Sequence, residues 1–393
     1  MSTPGPSSGG NPFEGLFGEL AKLFANQGPV NLDVARQMSR WLAVEGQPEA
    51  NVDPLERIRY EELVRVAEMH VGTATGLDTA VTGGLLTARP VGRGEWASRT
   101  LEAYRHLFEG LASALAPPTG DDDVADDPEA DPTAMLMGGV SQVVGPLLLG
   151  VQAGSMVGYL AQRALGQYDL PIPRPPSDDL VVVPVNVNAF AQDWSLPLDD
   201  VRLWICLSEI GHHAVLGRPH VGRRLDELLR GHVGGFRADP AALEEKLGAV
   251  DPTDPASFQA VLGDPTELLG AIQTPEQQTV RQQLAALVAA VEGYVDHVLD
   301  TVGRKLIGSY GPLTEALRRR RVEGTDGSRF VERLFGLELG RAQFERGAAF
   351  VSGVVDRAGE DGLSRLWRSE RELPTPAEVD APGLWLARID IGD

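Results

Sequence analysis

Apolar residues recur along this chain at intervals of three and four far more often than at alternate positions, which is the period of helices and not of strands. In "FEGLFGELAKLF" the side chains of Leu16, Phe17, Leu20, Leu23 and Phe24 share one face of a short helix, which reads as a docking element behind a Ser/Gly/Pro-rich start over 1–12. Three amphipathic helices are predicted next. "VNLDVARQMSRWLAVEG" has Asp33 near its start and Gly46 past its end, "DPLERIRYEELVRVAEMHVG" opens on the Asp53-Pro54 pair, and "GEWASRTLEAYRHLFEGLASALA" follows as one helix. Three such helices in succession imply a bundle.

The pattern then changes twice. From Thr133 to Gln162 no charged residue occurs, a length that could cross a bilayer. That segment also holds Ser141, Gln142, Gln152 and Ser155, many glycines and Pro146 at its middle, which favours a buried, tightly packed helical pair. After the proline-rich "QYDLPIPRPP", the run "LVVVPVNV" is the one strand-like stretch. "SLPLDDVRLWICLSEIGHHAVLGRPH" returns to helix, with Asp199 and Asp200 in the first turn, where the helix dipole favours them, and Gly217 and Pro219 at the close. Between Val201 and Leu216 its strongly polar positions are Arg202, Ser208, Glu209, His212 and His213. A helix apolar around nearly its whole circumference is a core helix, and its few polar groups need partners. The remainder is helical: "PEQQTVRQQLAALVAAVEGYVDHVLDTVG" and "ERGAAFVSGVVDRAG" are long patterns, and "GSRFVERLFGLELGRAQFERG" is a helix with an internal break. The expected organisation is residues 1–12 without structure, a helical bundle over 13–116, an acidic loop over 117–133, a second helical domain over 134–372 and a tail over 373–393. The fold class is mainly α, with a small strand element before the central helix.

Composition narrows the partners. The 393 residues carry 35 Lys plus Arg against 56 Asp plus Glu, a net charge of −21. With no basic cluster dense enough to neutralise a run of phosphates, nucleic-acid binding is disfavoured, and so is docking on an anionic membrane. One cysteine, Cys206, excludes an intrachain disulfide and fits a reducing compartment, and the first twenty residues lack a basic region followed by an apolar core. A cytoplasmic protein without stable membrane insertion is expected.

The chemistry concentrates in "LWICLSEIGHHAVLG". In the pattern HExxH two histidines one helical turn apart reach the same zinc, the glutamate between them activates water, and a third protein ligand comes from elsewhere. Here Glu209 occupies the base position and His212 that of the second histidine, while Ser208 stands where the first ligand belongs. A neutral hydroxyl is a poor zinc ligand beside an imidazole. His213 lies about 100° around the helix from His212 and reaches the same ion only if the helix loosens at Gly211; otherwise it donates to a buried acceptor. ExxH alone is weak evidence. Its apolar setting is stronger, because a buried carboxylate needs a charged neighbour. A candidate third ligand is Glu292, which with Asp296 and Asp300 forms a carboxylate stripe at i, i+4, i+8, and Gly293 beside it permits close approach of another helix.

Five blocks in order, "LGQYDLPIP", "LVVVPVNV", "DDVRLWICLSEIGHHAVL", "VAAVEGYVDHVLDTVG" and "RLFGLELGRAQFERGAAFV", resemble the zincin-like metallopeptidase type 2 family, whose members are labelled hydrolases or zinc-dependent metalloproteases and one branch of which is linked to deazaflavin coenzyme biosynthesis. The resemblance spans roughly Gly138 to Val355. It implies a mainly α, zincin-like helical domain over 134–372, a zinc cofactor and a peptide or protein substrate. Glu209 then matches the catalytic base, His212 the second ligand histidine and Glu292 the acidic ligand. Two positions depart from the pattern, Ser208 at the first ligand and Tyr294 where the family carries histidine. Two readings follow: a zinc-dependent hydrolase with a replacement ligand, or an inactive scaffold or binding protein retaining the fold, its zinc absent because of Ser208.

Overall fold

A computed structural model describes residues 28–115, 132–236, 275–322 and 326–391. The candidate docking helix at 16–24 and the acidic loop lie outside them, apart from the last two residues of that loop. The first described helix, α1 (Leu32–Ala43), starts where Asn31 Oδ1 accepts from the Val34 amide, and α2 (Pro54–Thr75) starts where Asp53 does the same for Leu55 and ends at Gly76 in the left-handed region. The third expected helix is two: α3 (Arg93–Ala103) and α4 (Arg105–Leu115) meet at Tyr104, whose backbone leaves helical geometry. The bend lets the buried Tyr104 ring meet Phe335 edge-on while the Arg174 guanidinium lies over it.

The uncharged segment is a single helix, α5 (Pro132–Ala161), and not a pair. Pro146 sits inside it, and the Pro146 carbonyl accepts from the Asn31 amide at the start of α1. Gly150, Gly154 and Gly158 repeat every four residues down one face, and a Cβ at any of them would run into the backbone or side chains of α1. The glycines thus serve close packing of α5 on α1. Among the described residues no helix is long and apolar enough to cross a membrane.

Strand structure is minimal. β1 (Thr87–Pro90) pairs in parallel with β2 (Asp179–Val182), Thr87 opposite Asp179 and Pro90 opposite Val182. The strand-like run is therefore half strand. At Pro184 it turns into α6 (Pro184–Asp193), because proline has no N–H for a ladder and its fixed φ suits the first helical position.

The centre is α7 (Leu198–Leu216), in which every residue from Trp204 to Leu216 is buried. It lies among α2, α6 and the long α9 (Pro275–Leu306), with α8 (Pro219–Val233) following after Gly217. α10 (Tyr310–Val322) and α11 (Asp326–Phe335) lead to Gly336, at positive φ, and then to α12 (Arg341–Leu363), which crosses α9. At the crossing Gly293 faces Gly347, and a Cβ on either would enter the other helix's backbone. The chain's last stretch is not featureless: Thr375 and Glu378 form a capping box for α13 (Pro376–Asp380), and α14 (Pro382–Asp390) buries Trp385 against Phe350 of α12. The architecture is mainly α.

Candidate functional site

Where α7 crosses α9, a Cβ on Gly211 would meet Val295 at 3.2 Å, and this close approach sets the side chains on either side of it face to face. His212 Nε2 lies 3.2 Å from Glu292 Oε1, both groups buried. The other ring nitrogen, Nδ1, donates to the Ser208 carbonyl at 2.9 Å. Both imidazole nitrogens therefore face acceptors, an arrangement that suits the doubly protonated ring. Burial opposes that charge, but Glu292 and Glu209 outweigh it and raise the pKa of His212; burial likewise opposes ionisation of Glu292, and the His212 charge overcomes it and holds the carboxyl below its ordinary value.

Glu209 points elsewhere on the same face. Its two carboxylate oxygens accept from the amides of Gln167 and Tyr168 at 3.0 to 3.3 Å. Gly166 is the residue that allows this seat, since any Cβ there would overlap the carboxyl. The turn is itself held on all sides: Trp96 Nε1 donates to the Gly166 carbonyl, Arg174 Nε to the Gln167 carbonyl, and Gln167 Oε1 accepts from Val181 in β2. Burial pushes the Glu209 pKa up to about 7, against the opposing pull of His212 and the turn amides. The block "LGQYD", legible in the sequence without a role, is thus the cradle of Glu209.

His213 turns away from His212, as the helical angle requires. Tyr168 Oη and His213 Nδ1 share a hydrogen bond of 2.9 Å, burial lowers the His213 pKa to about 4, and its Nε2 is buried without a hydrogen-bond partner. The Tyr168 ring also stacks on His212, with centroids 6.0 Å apart. Tyr294, two residues beyond Glu292, faces neither group; it packs edge-on against Trp367 on another side of α9.

Ser208, Glu209, His212 and Glu292 border one cavity of about 130 Å³. Its outer wall comes from residues that sequence reasoning passed over: Asp169, Arg320 and Arg321. Arg321 forms a bidentate pair with Asp296 at 3.0 and 3.2 Å and lies over the Phe344 ring at 4.3 Å, while Arg320 binds Asp169 and the Arg163 carbonyl. The run "RRRR" at 318–321 was the available signal. Of the carboxylate stripe, Glu292 alone borders this cavity; Asp296 is paired with Arg321 and Asp300 with Arg304 and Tyr310.

A metal can be tested against this donor set. Two ligands on a tetrahedral ion at about 2.0–2.2 Å stand roughly 3.3 Å apart, so His212 and Glu292 have a suitable separation. A catalytic zinc needs three protein ligands, however, and among the described residues no group of three or more His, Cys, Asp or Glu side chains converges in a way that could hold a metal. Ser208 presents a hydroxyl where the third ligand, a second imidazole nitrogen, is needed, and the Glu209 oxygens are taken by amides. The residues present do not fit a catalytic zinc.

Comparison with known proteins agrees with the geometry of the fold. A family model described as zincin-like metallopeptidase matches residues 30–386. A solved structure from Chloroflexus aurantiacus, described as "a putative hydrolase with a novel fold", aligns with a TM-score of 0.65 and 27% identity over 92% of this chain and 99% of that one. No curated protein matches the chain.

Proposed function

Since this chain belongs to the zincin-like metallopeptidase family across residues 30–386, we propose that it keeps the family fold around a degenerate zinc site and has weak or no peptidase activity, acting instead by binding a peptide or protein in the cavity beside α7. The observation that carries the reading is the buried His212–Glu292 pair. With Ser208 at the first ligand position, both ring nitrogens of His212 face acceptors, and the charges of Glu292 and Glu209 raise its pKa against burial, which supports a buried ion pair between His212 and Glu292. Glu209, the residue matching the water-activating base, spends its oxygens on the Gln167 and Tyr168 amides, which makes it a pin between α7 and that turn. A cytoplasmic location accords with the buried, unpaired thiol of Cys206.

One observation favours the other reading, an active zinc-dependent hydrolase: the 3.2 Å separation of His212 and Glu292 suits two ligands of one ion. Metal analysis of purified protein separates the two. The expected result is less than a tenth of an equivalent of zinc in the natural chain, at roughly the level of His212→Ala, and about one equivalent in Ser208→His, which restores the three-ligand minimum. Stoichiometric zinc in the natural chain that disappears in His212→Ala overturns the proposal in favour of the hydrolase.

A further inference from the structure

On the far side of Arg321 from the cavity beside Glu292 lies a larger cleft that neither the family match nor the site residues account for. Two lobes, about 360 and 540 Å³, lie between α10 and α12 over the floor of α9, and both are bordered by Asp296, Arg318, Arg321 and Ala348. On the α10 side the lining positions Tyr310, Thr314, Leu317 and Arg321 recur every three or four residues and so form one continuous face. From Tyr310 to Arg321 that face runs roughly 17 Å, the length of about five residues of extended chain. Leu317, Phe344 and Val351 supply apolar surface along it. A small inorganic anion would leave most of such a cleft unfilled.

Its charges are unevenly matched. Asp296 is taken by Arg321, Asp300 by Arg304 and Tyr310, Glu315 by Arg319, and Glu345 by Arg341, while His297 pairs with Glu360. Arg318, exposed and bordering both lobes, has no carboxylate partner among the described residues. The cleft therefore holds one uncompensated guanidinium, in a protein whose net charge is −21. A guanidinium fork matches a carboxylate bidentately. A nucleic acid would bring a run of phosphates to a cleft that offers, among the described residues, a single unpaired guanidinium, and is disfavoured.

We propose that the α10–α12 cleft binds an acidic peptide in extended conformation, with a side-chain carboxylate of the peptide on Arg318 and the peptide running inward toward the cavity of Ser208 and His212. This deepens the proposed binding function and rests on the cavity being a ligand site, but not on its metal content. The test is binding alone. A fluorescein-labelled five-residue peptide with two Glu residues, and the same peptide with Gln at both, are titrated with the full chain at low salt and followed by anisotropy. The Glu peptide is expected to bind at least tenfold tighter than the Gln peptide and to weaken as salt rises. Arg318→Glu removes the preference, Arg318→Lys keeps part of it, and Ala348→Trp, which fills the cleft from α12, abolishes binding of both peptides; Arg318 and Ala348 are exposed, so unchanged thermal melting certifies the fold. Equal binding of the two peptides, no binding of either, or a preference indifferent to Arg318→Glu overturns the proposal. Zinc content is measured on the same samples, so failure of the degenerate-site reading registers separately.

Discussion

His212 and Glu292 are each stabilised by the other's charge inside a core that would otherwise reject both. Removing one partner leaves an uncompensated buried ion, so His212→Ala and Glu292→Ala are each expected to cost about 3–5 kcal/mol, whereas His212→Leu with Glu292→Met, which removes both charges at similar volume, costs less than either single change. Urea unfolding of the three variants at neutral pH checks the order. Glu209 makes a separate prediction. Its folded pKa, about 7, is above the ordinary 4.5, so between those values the folded protein holds a proton that the unfolded chain has released. Its contribution to stability is complete below about pH 4.5 and is lost as pH rises through about 7. His212, also raised, acts in the same sense above its ordinary 6.5, and Glu292, lowered, acts in the opposite sense, its contribution lost as pH falls below 4.5. His213, lowered from 6.5 to about 4, opposes Glu209 across the same window, its contribution growing as pH rises, so the test is the difference in unfolding free energy between the natural chain and Glu209→Gln, which should fall from pH 4.5 to pH 7 by an amount on the order of a few kcal/mol. A slope unchanged by Glu209→Gln would remove the argument for a buried protonated carboxyl.

At the scale of elements, glycine spacing decides which helices can touch. Gly293 and Gly347 bring the backbones of α9 and α12 together, and Gly293 immediately follows Glu292, so this crossing also fixes the height at which Glu292 meets His212. Gly347→Ala is expected to destabilise by about 1–3 kcal/mol through a forced shift of the helices, while Gly311→Ala on α10, where a Cβ meets nothing, is neutral or stabilises by up to about 1 kcal/mol. Chemical denaturation of both variants reads the contrast. Elements with clear periodicity and caps, such as α2 between Asp53 and Gly76 and α7 from its acidic first turn to Gly217, follow directly from the sequence. Three did not. The break at Tyr104, the single helix through Pro146 and the conversion of "LVVVPVNV" at Pro184 each depend on a partner distant in sequence, namely Phe335, Asn31 and Thr87–Pro90.

Over the whole molecule, one connected cluster of buried apolar side chains runs from Val30 to Ile389 and includes both the N-terminal helices and α7, α9 and α12. The expected outcome is one cooperative transition, with far-ultraviolet circular dichroism and tryptophan fluorescence coinciding, since Trp96, Trp204, Trp367 and Trp385 report from separate regions of that core. Transitions that separate would mean the bundle and the domain around α7 unfold independently. By itself the sequence determined the helical class, the central apolar helix with its five polar positions, and the ordered blocks that identify the family, because periodicity, capping and composition are local properties. Tertiary structure alone decided which polar groups face one another. That Glu209 turns to the amides of Gln167 and Tyr168, that Tyr294 lies outside the cavity, and that Arg318 in the cleft between α10 and α12 has no carboxylate partner among the described residues all follow from how helices cross, and crossing depends on contacts between residues tens to hundreds of positions apart.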